Sequence, residues 1–250
     1  MKKNLAIIPA RYASSRLPGK PLADIAGKTL IERVYRQAAL CSDLSAILVA
    51  TDDERIEAAV QAFGGRVVIT PVDCLSGTDR CAAALEKLGG DWDTVVNIQG
   101  DEPFIQPDQI SQVIGCLANA SAAVGTLVRR IHSDEQLFNP NVVKAVLADQ
   151  GKALYFSRSP IPFLRDAQDQ AWTAQNSFFR HLGIYAFRAD LLPVLAALPP
   201  GKLEQAESLE QLRWMEAGYP VYAAETLFDS MGIDTPEDLE AARKQFTRNS

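Results

Sequence analysis

Apolar runs alternate with amphipathic stretches along the first half of the chain. Leu5 to Pro9 is a short apolar run and predicts a strand. Thr29 then reads as a helix N-cap, with Glu32 three residues on and Leu30, Val34 and Ala38 recurring on one face. Ala46 to Ala50 is entirely apolar, the pattern of a central strand covered on both faces. Asp53 to Phe63 reads as a helix stopped by Gly64-Gly65, Val67 to Ile69 as a third strand, and Thr94 to Ile98 as a fourth followed by a helix entered at Pro107. This strand-helix order predicts an α/β fold with a doubly wound, mainly parallel sheet. In such sheets the ligand lies beyond the carboxyl ends of the strands.

The second half has a different pattern. Val142 to Leu147 and Ala153 to Ser157, joined by Asp149-Gln150-Gly151-Lys152, read as a hairpin, and Arg180 to Phe187 as another strand. Arg158 to Phe179, with Pro160 and Pro162, reads as a long excursion loop. Leu203 to Ala217 reads as one amphipathic helix ended by Gly218, and the last helix begins with Thr235 as N-cap and Pro236 in its first turn. The expectation is one domain over 1–250, with its pattern changing near residue 130 and 131–250 a smaller α+β part.

Between the first strand and the first helix lies Arg11-Tyr12-Ala13-Ser14-Ser15-Arg16-Leu17-Pro18-Gly19-Lys20-Pro21-Leu22, a basic loop without an acidic residue. At the carboxyl end of a strand such a loop suits polyanionic phosphate: Arg11 and Arg16 offer planar forks, Lys20 a mobile point charge, and Gly19 close approach of backbone N–H groups. A solvated basic loop is the plainer alternative. It is not a Walker A loop, since Pro21 follows Lys20 and the earlier glycine is missing, and no Gly-x-Gly-x-x-Gly follows the strand, which disfavours a dehydrogenase. Asp101, at the end of a buried strand and followed by Glu102-Pro103, suits Mg2+, which takes one or two carboxylates with phosphate oxygens and water.

The 250 residues are 47% hydrophobic and 22% charged, ordinary for a globular protein, and the net charge of −6 argues against a dedicated nucleic-acid binder. The amino-terminal apolar stretch is too short for a signal peptide, and no later run is long enough to span a membrane, so a cytoplasmic protein is expected. Cys41, Cys74, Cys81 and Cys116 form no C-x-x-C pair, and with only His132 and His181 a zinc site is not expected.

The segment from Ile8-Pro9-Ala10-Arg11 to Pro21-Leu22 resembles the nucleotide signature of the sugar nucleotidyltransferases. Most closely, the chain is similar to those that activate 3-deoxy-manno-octulosonate with CTP. The resemblance continues through Ala50-Thr51-Asp52-Asp53, Ser76-Gly77-Thr78-Asp79-Arg80, Asn97-Ile98-Gln99-Gly100-Asp101-Glu102-Pro103, Leu154-Tyr155-Phe156-Ser157-Arg158, Arg180-His181-Leu182-Gly183-Ile184-Tyr185, Glu207-Ser208-Leu209-Glu210-Gln211-Leu212-Arg213 and Asp234-Thr235-Pro236-Glu237-Asp238. It implies a Rossmann-like nucleotide-diphospho-sugar transferase fold as one catalytic domain, with about 1–130 as its nucleotide-binding half, 131–250 as its sugar-binding and dimerisation half and the last helix returning to the active site. It also implies a homodimer and a place in lipopolysaccharide or capsule precursor supply.

The resemblance also assigns residues. Ala10, Arg11, Ser14, Arg16, Lys20, Ser76, Gly77, Arg80 and Gln99 would bind the nucleotide, with Lys20, Arg11, Asp101 and Asp234 as the catalytic set and Asp101 and Asp234 together holding Mg2+. Locally, Ser76 or Thr78 reads as an ordinary helix cap and Asp234 as a helix-start residue facing the dipole, so both plainer readings stand beside these. Relatives usually carry His where this chain has Cys74. His181 and Tyr185, four apart on a strand with Gly183 between, would face the acidic sugar, with Arg158 and Arg165 for its carboxylate and Glu210 and Gln211 for its hydroxyls. A satisfied structural histidine and exposed helix pairs are the competing readings. Arg129-Arg130 and His132 read as a surface loop or dimer contact. An enzyme acting on sialic acid or an 8-amino form of the sugar, and a non-catalytic nucleotide-binding regulator, are the alternatives.

Overall fold

The computed structural model describes residues 2–13, 17–166, 171–229 and 231–248. The chain divides into two compact units: Met1–Ser111 with Phe187–Ala196 and Ser230–Ser250, and Gln112–Ala186 with Ala197–Asp229. The last helix, Pro236–Arg248, therefore counts with the first unit.

In the first unit the strands Thr94–Asn97, Asn4–Ala10, Ala46–Thr51 and Val67–Ile69 lie side by side, every pair parallel, with Leu5 opposite both Ala46 and Val95. Leu5, Ala6, Ile7 and Ile8 are fully buried, the burial expected of a central strand sandwiched between helices. Each large side chain removed from water there contributes about 1.5–3 kcal/mol. The helix starts are fixed by side-chain caps. The Thr29 hydroxyl accepts from Glu32 N, the Asp53 carboxylate from Arg55 N, and Ser76 and Asp79 form a reciprocal capping box. These fixed helix starts leave the intervening loops at one end of the sheet.

Gly100 sets the geometry of that end. A Cβ on it would stand 2.7 Å from the Pro9 carbonyl oxygen, so only glycine lets the chain leave the Thr94–Asn97 strand so close to the first strand. Asp101 follows directly.

The second unit contains two strands that the sequence pattern does not reveal, Val124–Arg130 and Val221–Glu225, paired in parallel from Val124 opposite Val221 to Val128 opposite Glu225. Lys144–Leu147 forms the expected antiparallel hairpin with Ala153–Ser157 and pairs on its other side with the start of Phe179–Arg188. Arg129 and Arg130 thus end a strand instead of occupying a loop, and Arg129 pairs with Asp229, as does Arg180. The excursion after Arg158 contains a short helix, Trp172–Gln175, whose Trp172 packs with Ile131, Leu137 and Phe178.

The single helix expected over 203–217 is two, Lys202–Glu207 and Gln211–Glu216, broken at Ser208 with φ of 53°. The break has a physical cause fifty residues upstream. Arg158 Nε donates to the Glu207 carbonyl at 2.7 Å and its Nη2 to the Ser208 carbonyl at 3.4 Å, so acceptors that a continuous helix would use internally are taken by a guanidinium.

Candidate functional site

The basic loop is pinned at both ends. Gly19 N donates to the Tyr12 carbonyl, Gly19 has φ of 71°, and the Arg55 guanidinium lies 3.3 Å from the Tyr12 ring centroid while pairing with Asp53. A Cβ at Gly19 would meet the Tyr12 ring at 3.1 Å, so both the conformation and the space require glycine. Beside this loop a cavity of about 330 Å³ is lined by Ala10, Arg11, Lys20, Cys74, Ser76, Gly77, Arg80, Gln99, Asp101 and Asp234, among others. Ser14 and Arg16 lie outside the described residues.

Within the cavity wall the side chains differ in how far they are committed. Ser76 both caps its helix and faces the cavity, so its two readings coexist. Arg80 is spent on the wall itself: its guanidinium donates to Thr70 Oγ1 at 2.7 Å and to Asp52 at 2.8 Å. It braces the pocket wall while still lining the cavity. Burial pushes the Cys74 thiol up, which keeps it protonated and a poor nucleophile.

Lys20 Nζ donates to Asp101 Oδ2 at 2.6 Å and to Asp234 Oδ1 at 3.3 Å. Two carboxylates far apart in sequence are thereby within reach of one cation. Asp234 is delivered by the loop before the last helix, where Ile233 N donates to the Asp101 carbonyl at 2.9 Å. The start of that helix is served by other residues: Thr235 Oγ1 accepts from Asp238 N, and the Asp238 carboxylate accepts from Thr235 N and Asp234 N. The carboxylate of Asp234 is therefore directed to Lys20 while the cap is made without it. The donor set is all oxygen, two carboxylates, which fits Mg2+ completed by phosphate oxygens and water. Among the described residues no group of three or more His, Cys, Asp or Glu side chains is placed to hold a metal ion.

In the second unit His181 and Tyr185 share a face, ring centroids 5.4 Å apart, and a Cβ at Gly183 between them would meet nothing within 4 Å. Tyr185 stands edge-on to Trp214 at 5.2 Å, and its hydroxyl is held well above its ordinary range by burial and then by the nearby Glu210 carboxylate. Gln211 is buried, and among the described residues its Nε2 has no hydrogen-bond partner, a donor that a ligand or water would satisfy. Arg158 is not a free carboxylate anchor. Besides Glu207 and Ser208 it donates to the Pro140 carbonyl, and so holds the broken helix that carries Glu210 and Gln211. Arg165 is exposed and makes no hydrogen bond or ion pair among the described residues.

Residues 5–228 match the cytidylyltransferase family model. The chain is 52% identical over 250 residues to a 3-deoxy-manno-octulosonate cytidylyltransferase of Bacteroides thetaiotaomicron, covering 99% of each, and 47% identical over 252 residues to that of Geobacter metallireducens, covering 98% of each. The chain belongs to the 3-deoxy-manno-octulosonate cytidylyltransferases. A solved CMP:2-keto-3-deoxy-manno-octonic acid synthetase, complexed with CTP, superposes with a TM-score of 0.91 at 42% identity, covering all of both chains. In this cytidylyltransferase, among the described residues, no helix is long and apolar enough to cross a membrane.

Sequence reasoning missed a buried polar knot that supports the His181 face. Lys144, fully buried, donates to the carbonyls of Asn139, Val142 and Arg158, and burial lowers its pKa. Glu207 accepts from Ser157 Oγ at 2.6 Å and from Arg158 N at 2.9 Å. A lone lysine inside Asn141-Val142-Val143-Lys144-Ala145-Val146-Leu147 was the available signal, since a cation in an apolar strand must find acceptors.

His181 yields a pH prediction for this cytidylyltransferase. Burial lowers its pKa from the ordinary 6.5 to about 3. Below pH 6.5 the unfolded chain takes up a proton that the folded ring does not, so stability falls as pH drops from about 6.5 towards 3. The slope approaches about 1.4 kcal/mol per pH unit. Urea unfolding at pH 6.5 and 5 should show that loss, and His181→Gln should flatten it. An equal loss in the variant would remove His181 as the cause.

Proposed function

We propose that this chain transfers the cytidylyl group of CTP to 3-deoxy-manno-octulosonate in a Mg2+-dependent reaction, forming CMP-3-deoxy-manno-octulosonate and pyrophosphate. The observation that carries this reading is the Lys20 bridge between Asp101 and Asp234, in the wall of the cavity formed with the basic loop and the Ser76–Arg80 segment. Arg11 and Lys20, with Arg16 of the same loop, hold the triphosphate. Asp101 and Asp234 would hold Mg2+, which when bound neutralises charge on the phosphate oxygens. The anomeric hydroxyl of the sugar attacks the α-phosphorus, its O–P bond forming as the bond to the pyrophosphate oxygen breaks. This chemistry needs alignment and charge stabilisation, so no nucleophilic side chain is required. His181, Tyr185, Glu210 and Gln211 form the face that receives the sugar. The product suits lipopolysaccharide or capsule supply, and the working form is a homodimer in the cytoplasm.

Nucleotide choice tests the reading. A pocket that hydrogen-bonds one base edge leaves buried groups unpaired with the wrong base, so CTP should outperform ATP, GTP and UTP by roughly a hundredfold or more in pyrophosphate release with this sugar. Equal turnover with ATP or GTP would contradict it.

A further inference from the structure

Thr126, fully buried on the Val124–Arg130 strand, places its hydroxyl 2.8 Å from the Ile184 carbonyl, 3.2 Å from the Leu182 carbonyl and 2.9 Å from His181 Nε2. A hydroxyl has one proton and two lone pairs. Carbonyl oxygens only accept, so the proton belongs to them. Giving it to the imidazole would leave a hydroxyl lone pair facing an oxygen at 2.8 Å in a dry interior, where uncompensated polar contacts are costly. The remaining role of the hydroxyl is acceptor, and Nε2 must be the donor.

The other ring nitrogen follows from this assignment. Among the described residues two aromatic rings pack against it, Phe156 at 5.0 Å and Tyr185 at 5.4 Å between centroids, and the Tyr185 hydroxyl stays protonated. Neither neighbour supplies a charge that would hold a second proton on the imidazole. A neutral ring with its proton on Nε2 carries a lone pair on Nδ1.

We infer that Thr126 locks His181 as the Nε2–H tautomer and so presents Nδ1 as a hydrogen-bond acceptor for a sugar hydroxyl. Thr126 is a positioning residue, and His181 is a reader of hydroxyl geometry and not a cationic partner for the sugar carboxylate. The acceptor role rests on the sugar-face reading proposed above; the tautomer does not.

The chain has only two histidines, so long-range 1H–15N correlation spectra of the full-length protein are readable once His132→Gln assigns the signals. Ligand-free wild-type protein at pH 7 should show His181 as Nε2–H alone. Thr126→Ser should keep that pattern, while Thr126→Val should mix the tautomers and raise the apparent KM for 3-deoxy-manno-octulosonate roughly tenfold, with that for CTP within about twofold. An Nδ1–H or doubly protonated wild-type ring overturns the inference without any variant having to fold. If His181→Ala raises the sugar KM but Thr126→Val does not, the role of Thr126 is overturned alone. If the tautomer is as inferred and neither variant moves the sugar KM, the lock stands and the acceptor role falls with the sugar-face reading.

Discussion

Asn at Asp101 or at Asp234 should lower pyrophosphate release by roughly a hundredfold or more while the protein stays folded. The substitution keeps the shape of each side chain and removes one of the two negative ligands around Lys20 Nζ. Stability should change little, because either loss leaves a one-to-one pair with Lys20 where two carboxylates previously shared it. The helix start is also preserved, its cap being made by Thr235 and Asp238. A residue serving only the helix dipole would behave in the opposite way, losing about 0.3–1 kcal/mol of stability with activity retained. Thermal unfolding measured beside turnover as a function of Mg2+ separates the two. An active Asp234→Asn protein with unchanged Mg2+ dependence would leave Asp101 as the sole supported ligand.

Lys20→Ala should have a comparable effect on catalytic efficiency, a fall of roughly a hundredfold or more, because it removes a positive charge from the triphosphate site. It also leaves Asp101 and Asp234 facing each other without their ammonium. Mg2+ should therefore raise the Tm of Lys20→Ala more than that of the unaltered protein, yet fail to restore its rate. Near-normal kinetics in a well-folded Lys20→Ala protein would return Lys20 to a solvated loop.

Much of this was legible in the chain because the signals are local. The caps at Thr29 and Ser76 lie three residues from the groups they satisfy, and the Ala46–Thr51 and Thr94–Asn97 strands are short, mainly apolar runs. The basic loop and Asp101 stand out for the same reason. What escaped depends on partners remote in sequence. Val221–Glu225 contains two alanines and a glutamate, which carry no strand preference, and is a strand through its register with Val124–Arg130. The break at Ser208 is caused by Arg158, and the role of Thr126 becomes visible only when His181 and Ile184 are brought against it. Asp234 could be tied to Asp101 only through resemblance, and Lys20 is what joins them in space. The engagement of the Arg80 guanidinium by Thr70 and Asp52, and of Arg158 by the Pro140 carbonyl, is likewise invisible in a sequence, which shows charge and not what already neutralises or engages it.

Pyrophosphate release by the unaltered protein with CTP, measured with and without 3-deoxy-manno-octulosonate as Mg2+ is withdrawn by a chelator, tests the account most directly. The account predicts release that needs both the sugar and Mg2+ and returns when Mg2+ is restored. Release that proceeds without the sugar, or that is indifferent to the chelator, would contradict it.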